Sequence, residues 1–325
     1  MKNIQAPPLI EKDLAEVRKI IEEHLVLEHQ EISDALLALQ RGGGKMLRPS
    51  LLLYFARLGN RFQENRRKIL YLAASVEILH MATLIHDDII DDAPLRRGCS
   101  SIQSRFGKDV AVYTGDFLFT IYFELLAKSG DLGEYFSVNA RAMKNILLGE
   151  LDQMSTRFKT DISLEEYFQT ITGKTAELFA LSARLGAYFG GMEKENVLLA
   201  EKIGYNIGLC FQILDDILDY TSSEKELKKP VLEDLLKGVY TAPLILALPN
   251  STENLQKLLE RREKITAEER KNVQQLVLNH GGVTESKKLA THFSEKALAD
   301  IEQLPNGEVK KILLKMVKEL LRRSH

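Results

Sequence analysis

Two short acidic clusters constrain this chain more than any other feature. LIHDDIIDDAPLRRG carries Asp87, Asp88, Asp91 and Asp92, and FQILDDILDY carries Asp215, Asp216 and Asp219. Both follow strongly apolar stretches with helical spacing, so both are predicted near the C-terminal ends of core helices. In each, the Asp-Asp-x-x-Asp motif sets its first and last Asp four residues apart, Asp87 with Asp91 and Asp215 with Asp219, on one helical face. Two such carboxylates about 6 Å apart repel by roughly 3 kcal/mol at an effective dielectric near 20. The macrodipole disfavours anions at a helix C-terminus as well. A solvated acidic helix end is the plain alternative for one such motif. Two on core helices point to a hard divalent cation, which carboxylates, waters and substrate phosphates hold together.

The rest of the chain reads as helix after helix. Its eight prolines fall mostly where helices start or stop, and strand signals are weak. A helix is expected from Arg66 to Asp92, stopping before Pro94. Ser163-Leu-Glu-Glu166 predicts a capping box opening a helix to about Phe189, ended by Gly190-Gly191. Glu193 to Tyr220 reads as another long helix. Thr266 caps one further on, Gly281-Gly282 breaks it, and Pro305-Asn306-Gly307 precedes the last. No composition shift marks a linker. One helical domain over 1–325 is expected, with a tail over residues 1–10.

A formal net charge of -2 gives no global field for nucleic acid or an anionic membrane. Two cysteines, Cys99 and Cys210, give no disulfide or metal framework. The polar N-terminus is unlike a signal peptide, and no uncharged run approaches the roughly 18 residues of a membrane span. A cytoplasmic protein is expected, with at most peripheral membrane contact through the helix from Glu308 to Arg323.

Basic residues flank the acidic clusters. Gly42-Gly43-Gly44-Lys45 precedes Arg48-Pro49, Arg96-Arg97-Gly98 follows the first cluster, Lys174-Thr175 lies in ITGKTAELF, and Lys229-Pro230 follows the second cluster. Arg binds phosphate bidentately and Lys supplies a point charge. GGGK lacks the GxxxxGK[ST] spacing of a Walker A loop.

These motifs, with GKDVAVYTGDFLF and GELDQ, resemble the trans-isoprenyl diphosphate synthases in order and separation from about Gly43 to Leu248. The resemblance implies an all-α fold of isoprenoid synthase type, a single large bundle of long helices around a central cavity. It implies a homodimer, or a heteromer with a small partner subunit. The implied reaction is Mg2+-dependent. An allylic diphosphate ionises, the double bond of isopentenyl diphosphate attacks, and a proton leaves.

On this resemblance Asp87, Asp88, Asp91, Asp215, Asp216 and Asp219 are the metal ligands. Arg96, Lys174 and Lys229 grip the allylic diphosphate. Gly44, Lys45, Arg48, His80 and Arg97 form the isopentenyl diphosphate site. Thr175 and Gln212 lie near the developing cation. His86 reads as structural, and Arg157, Glu150 and Gln153 as supporting polar groups.

Short-chain members place an aromatic four or five residues before the first Asp. Here those positions are Thr83 and Ala82, which leaves that layer open and implies a medium or long product for a quinone side chain. Phe117, Phe119, Tyr122 or Phe123 would close it lower down and make a short-chain synthase instead. The pattern departs at Lys228, where glycine is usual, and at Leu232 and Val239, where glycine and lysine are usual. Lys237 is a candidate replacement for that lysine. A terpene cyclase fits poorly, since its second motif mixes Asn, Ser or Thr, and Glu. A non-catalytic regulatory subunit fits poorly because the Asp and Arg residues are kept.

Overall fold

Local chemistry sets where the helices begin. In a computed structural model of the chain, residues 8–42, 45–222, 232–251 and 253–322 are described. Gly44 and Lys229, both expected at the site, lie outside them, as do Lys228 and Pro230. The described residues are almost wholly helical, as the sequence pattern predicts. The chain divides into two compact units, residues 1–138 with 181–201 and residues 139–180 with 202–325.

The first unit is built on α1 (Pro8–His24), α2 (Gln30–Arg41), α3 (Leu47–Ala56) and α4 (Arg66–Ile90). A two-residue hairpin, β1 (Leu95–Arg96) with β2 (Cys99–Ser100), leads to α5 (Ile102–Phe106) and α6 (Lys108–Lys128). The central helix is α4, which packs against α1, α3, α5 and α6. Leu72, Val76, Ile78, Leu79, Ala82 and Ile85 are all buried on it. Burying each large aliphatic side chain contributes roughly 1.5–3 kcal/mol. An ion-pair cluster fastens its start, where Arg57 and Arg66 both pair with buried Asp13. The helix ends two residues before the expected Asp92. Asp92 adopts a left-handed conformation (φ 47°), and Ala93 N–H donates back to the Asp88 carbonyl at 3.0 Å.

Next come the long helices α7 (Tyr135–Ser155) and α10 (Lys194–Thr221). Between them lie α8 (Leu164–Ile171), a π turn (Thr172–Ala176) and α9 (Glu177–Gly190). The Ser163 capping box is present. Ser163 Oγ accepts from Glu166 N–H, and Glu166 accepts from Ser163 N–H at 2.9 Å. The predicted single helix from Ser163 to Phe189 is interrupted by the π turn, which carries the GKT motif. Such bulges insert one extra residue and are frequent at functional sites.

The second unit continues with α11 (Glu233–Leu236), α12 (Ala242–Ala247), α13 (Glu253–Leu259), α14 (Ala267–Asn279), α15 (Gly282–Ile301) and α16 (Glu308–Leu321). Thr266 and Glu269 form the expected second capping box. Gly281, at φ 78°, ends α14, but Gly282 opens α15 rather than sharing the break. On α16 the apolar side chains Val309, Leu313, Val317 and Leu320 are buried against the protein, so that face is not free to lie on a membrane.

By length and composition alone, α4, α6 and α10 are long and apolar enough to cross a membrane, although charged residues such as Glu77 on α4 interrupt their apolar runs. Within the most apolar windows of these helices, 72%, 44% and 61% of residues are buried inside the protein.

Candidate active site

The first cluster is assembled at the end of α4. Asp87 and Asp91 are part-exposed, whereas Asp88 is buried at 2% exposure. Arg96 donates to Asp88 Oδ1 through Nε at 2.7 Å and again through Nη2. Burial pushes the Asp88 carboxyl above its usual range, the charges of Asp87 and Asp91 push the same way, and Arg96 opposes them. Asp92 faces away to a surface pair with Lys108 at 2.5 Å.

The two arginines are presented by the hairpin that the sequence did not reveal. Arg97 and Gly98 both have positive φ, 53° and 82°, as a two-residue type I′ turn requires. Glycine takes that conformation freely; for arginine it is strained, and such strain clusters at functional sites. Met46, directly after Lys45, is also left-handed at φ 49°. Arg97 donates to the Leu39 carbonyl at 3.3 Å.

His80 is half-buried two turns before Asp87. Burial holds its imidazole well below the usual histidine range, and the charges of Arg48, Arg97 and Arg96 push it further down. Three guanidinium groups acting on one neutral imidazole make a strongly anion-attracting environment. One residue here went unread in the sequence. Glu77, one turn before His80, is buried at 3% exposure, and burial raises its pKa against the pull of Arg48, Arg97 and Arg18. Its signal was a charged residue on the buried face of an apolar helix. His86, read as structural, is stacked on Phe119 at 5.3 Å with its Nε2 3.2 Å from Asp116 Oδ1.

The second cluster belongs to the other unit. Asp215 is exposed; Asp216 and Asp219 are buried, at 3% and 6% exposure. Tyr167 Oη donates to Asp216 Oδ2 at 2.6 Å, and Gln212 Nε2 donates to Oδ1 at 2.9 Å. Burial pushes the Asp216 carboxyl up to about 8, against those two donors and with the help of Asp234 and Asp215. Thr175 Oγ1 donates to Gln212 Oε1 at 2.6 Å. Lys174 Nζ donates to Glu150 Oε2 at 2.7 Å and Gln153 Oε1 at 3.1 Å. The supporting role read for Glu150 and Gln153 matches this geometry. Arg157 lies at the far end of the same segment, beyond α7.

This arrangement depends on a close backbone crossing. A Cβ on Gly149 of α7 would lie 2.7 Å from Lys174 N and 2.8 Å from Gly173 Cα. Two glycines facing each other let the π turn approach α7. The N-terminal end of α11 shows the consequence of the sequence departure at Leu232. Leu232 is fully buried in a left-handed conformation (φ 58°) that glycine would adopt without strain.

Among the described residues, no group of three or more His, Cys, Asp or Glu side chains forms a ready-made metal cage. The donors are all hard carboxylate oxygens, and in each cluster a buried member is pushed up by burial, with its neighbours' negative charge adding to the rise. That donor chemistry fits a cation bound through one or two carboxylates and completed by substrate phosphates.

Helical fold, paired acidic clusters and adjacent cationic groups define an enzyme acting on diphosphate esters. Residues 29–278 match the family model described as polyprenyl synthetase, and the chain belongs to that family of prenyltransferases. It is 31% identical over 325 residues to heptaprenyl diphosphate synthase component 2 of Bacillus subtilis (strain 168), covering 100% of this chain and 92% of that one. A geranylgeranyl pyrophosphate synthase structure from Lactobacillus brevis ATCC 367 superposes with a TM-score of 0.91 at 42% identity, over 97% of both chains. The heptaprenyl diphosphate synthase of Staphylococcus aureus superposes with a TM-score of 0.92 at 30% identity, over 98% of this chain and 100% of that one.

Proposed function

We propose that the chain makes a medium- to long-chain all-trans polyprenyl diphosphate by repeated addition of isopentenyl diphosphate to an allylic diphosphate. The observation that carries this is the recurrence, in each unit, of an Asp-Asp-x-x-Asp helix end beside basic side chains. Asp87, Asp91 and Asp215 are the part-exposed or exposed carboxylates and would hold Mg2+. Asp88, held at Oδ1 by Arg96, and Asp216, held at both oxygens by Tyr167 and Gln212, would brace the clusters, and Asp219 would complete the second.

Mg2+, when bound, neutralises the diphosphate charge that grows as the allylic C–O bond breaks. Arg96, Lys174 and Lys229 grip that diphosphate, which leaves with the bonding electron pair. Gly44, Lys45, Arg48, His80 and Arg97 hold isopentenyl diphosphate, whose double bond closes the new C–C bond. Thr175 and Gln212 lie beside the allylic cation. No side chain is assigned as the base, and the released diphosphate takes the proton.

Chain length rests on the layer before Asp87. Ala82 is fully buried and Thr83 is half-buried, its hydroxyl donating to the His80 carbonyl at 2.9 Å, so neither projects a bulky floor. The likeness to a heptaprenyl synthase component supports that reading, with a quinone side chain as the product's use. The likeness to a geranylgeranyl synthase favours a four-unit product as the second reading.

The component-2 relative also supports a heteromer with a small partner subunit. Exposed apolar side chains on α6 (Tyr113, Phe117 and Phe123 at 76%, 36% and 42%) favour an assembly, homodimeric or heteromeric, over a monomer. We place the enzyme in the cytoplasm as one polyprenyl synthetase-like domain.

The test is incubation of purified protein with Mg2+, radiolabelled isopentenyl diphosphate and farnesyl diphosphate, with products resolved by length. Products of about six to eight units are expected. Products stopping at four units select the second reading. A protein inactive with every primer, alone and with cell extract, sinks both.

A further inference from the structure

A continuous chain of hydrogen bonds runs from α8 through α10 to the π turn. Tyr167 Oη donates to Asp216 Oδ2 (2.6 Å), Gln212 Nε2 donates to Asp216 Oδ1 (2.9 Å), and Thr175 Oγ1 donates to Gln212 Oε1 (2.6 Å). Tyr167, Asp216 and Thr175 are buried, at 3%, 3% and 5% exposure. The direction at Thr175 is set by valence, because an amide oxygen can only accept. Gln212 turns its NH2 group toward Asp216 Oδ1. Its carbonyl oxygen is left facing Thr175, which must give up its only hydroxyl hydrogen. What the Thr175 oxygen offers in its remaining directions is lone pairs alone.

We propose that Tyr167 is a positioning residue of the prenyl transfer: acting through Asp216 and Gln212, it fixes the Thr175 hydroxyl with its lone pairs, not its hydrogen, toward the allylic cation. This rests on the proposed function, which places Thr175 beside that cation. A hydroxyl held this way presents negative potential where positive charge develops, with no reorientation during the reaction. A hydroxyl free to rotate would present its hydrogen part of the time. The π turn is tied to α10 a second time by the contact of Thr172 Oγ1 with Tyr205 Oη at 3.1 Å, so Thr175 itself does not drift. Tyr167 is seven residues before Lys174, two helical turns, and is separated from Asp216 by 49 positions in sequence.

The test is a double-mutant cycle on the full-length enzyme with Tyr167→Phe, Thr175→Val and the pair, reading kcat, both KM values and the thermal midpoint. Y167F is expected to lower kcat about tenfold and change either KM less than about threefold. In the T175V background it should lower kcat by less than about twofold, because the hydroxyl it orients is gone. Multiplying losses in the double mutant, or a wild-type kcat in Y167F, would overturn the proposal.

If Y167F does not fold, Tyr167→Met takes its place, which removes the hydroxyl and keeps an apolar side chain at the buried position. Its loss of kcat should likewise vanish in the T175V background, and a loss that persists there overturns the proposal. Wild-type protein without prenyltransferase activity would instead remove the functional reading and this inference with it. Active wild type with an additive cycle removes the inference alone.

Discussion

Arg96 closes on Asp88 through two nitrogens that share one carboxylate oxygen, eight residues apart across the end of α4 and the hairpin that follows. The pair is buried on the carboxylate side, and it separates the roles of two adjacent aspartates. Asp88→Ala strands a guanidinium and should lower unfolding free energy by about 3 kcal/mol, the scale of breaking a buried ion pair. Asp87→Ala removes a part-exposed carboxylate from a crowded cluster and should leave stability within about 1 kcal/mol, while kcat falls at least about a thousandfold. Denaturant melts and steady-state rates on both variants check this. Equal stability losses would show that Asp88 is not the brace.

The metal reading makes a thermodynamic prediction independent of turnover. Mg2+ with inorganic diphosphate should raise the thermal midpoint, because a ligand at 100 times its Kd stabilises the folded state by about 2.7 kcal/mol. Mg2+ alone should do little, since no described carboxylate group forms a closed cage. Asp87→Ala and Asp215→Ala should each abolish the combined shift, and chelation should abolish activity reversibly. A full shift retained in both variants would move the metal site elsewhere.

Much of this was legible in sequence where the chemistry is local. Both capping boxes, Ser163 with Glu166 and Thr266 with Glu269, span three residues and are written in residue type. The placement of both acidic clusters at helix ends followed from periodicity and from Pro94. What stayed hidden depends on three-dimensional closure. The hairpin at Arg96 and Arg97 uses an arginine where I′ turns favour Asn or Gly, so no turn signal announced it. The π turn at Thr172–Ala176 has no residue signature of its own; it is enabled by Gly149, 24 residues upstream of Gly173. Tyr167 and Glu77 sat inside apolar patterns as ordinary helix residues, and only their partners on other helices give them roles.

The Gly149 crossing gives a structural test with a functional readout. Gly149→Ala forces a methyl against the backbone of Gly173 and Lys174 at 2.7–2.8 Å, where nothing flexible can yield. Overpacking of this kind costs about 1–3 kcal/mol. Displacing the π turn also moves Lys174 from Glu150 and Gln153. The variant should fold with a lowered midpoint, and its KM for the allylic diphosphate should rise about tenfold with the isopentenyl KM little changed. A selective rise in the isopentenyl KM instead would contradict the assignment of Lys174.

His80 should leave a mark on the pH dependence of stability. Its folded pKa lies well below the unfolded value of about 6.5. As pH falls below 6.5 the unfolded chain takes up a proton that the folded protein does not, so stability falls with falling pH. At and above neutral pH this term vanishes. His80→Gln removes it. Relative to that variant, the wild type should lose about 1 kcal/mol between pH 6.5 and 5.5. Urea titrations of both proteins at those two pH values measure the difference, and parallel curves would show that His80 titrates normally.

The length of the product can be turned by one residue if the layer before Asp87 is open. Thr83 lies four residues before Asp87 on α4, so its side chain projects one turn, about 5.4 Å, below the carboxylate that would hold the metal. Its hydroxyl is already bonded to the His80 carbonyl, and the position is half-buried rather than filled. Thr83→Phe places a ring where a growing chain would have to pass. Wild-type products of six to eight units should then shorten to four or fewer, with the rate of the first condensation within about threefold of wild type, since the diphosphate-binding groups are untouched. Products of unchanged length in an otherwise active variant would mean that the chain grows past another face of α4, and the aromatic side chains of α6 would become the next positions to vary.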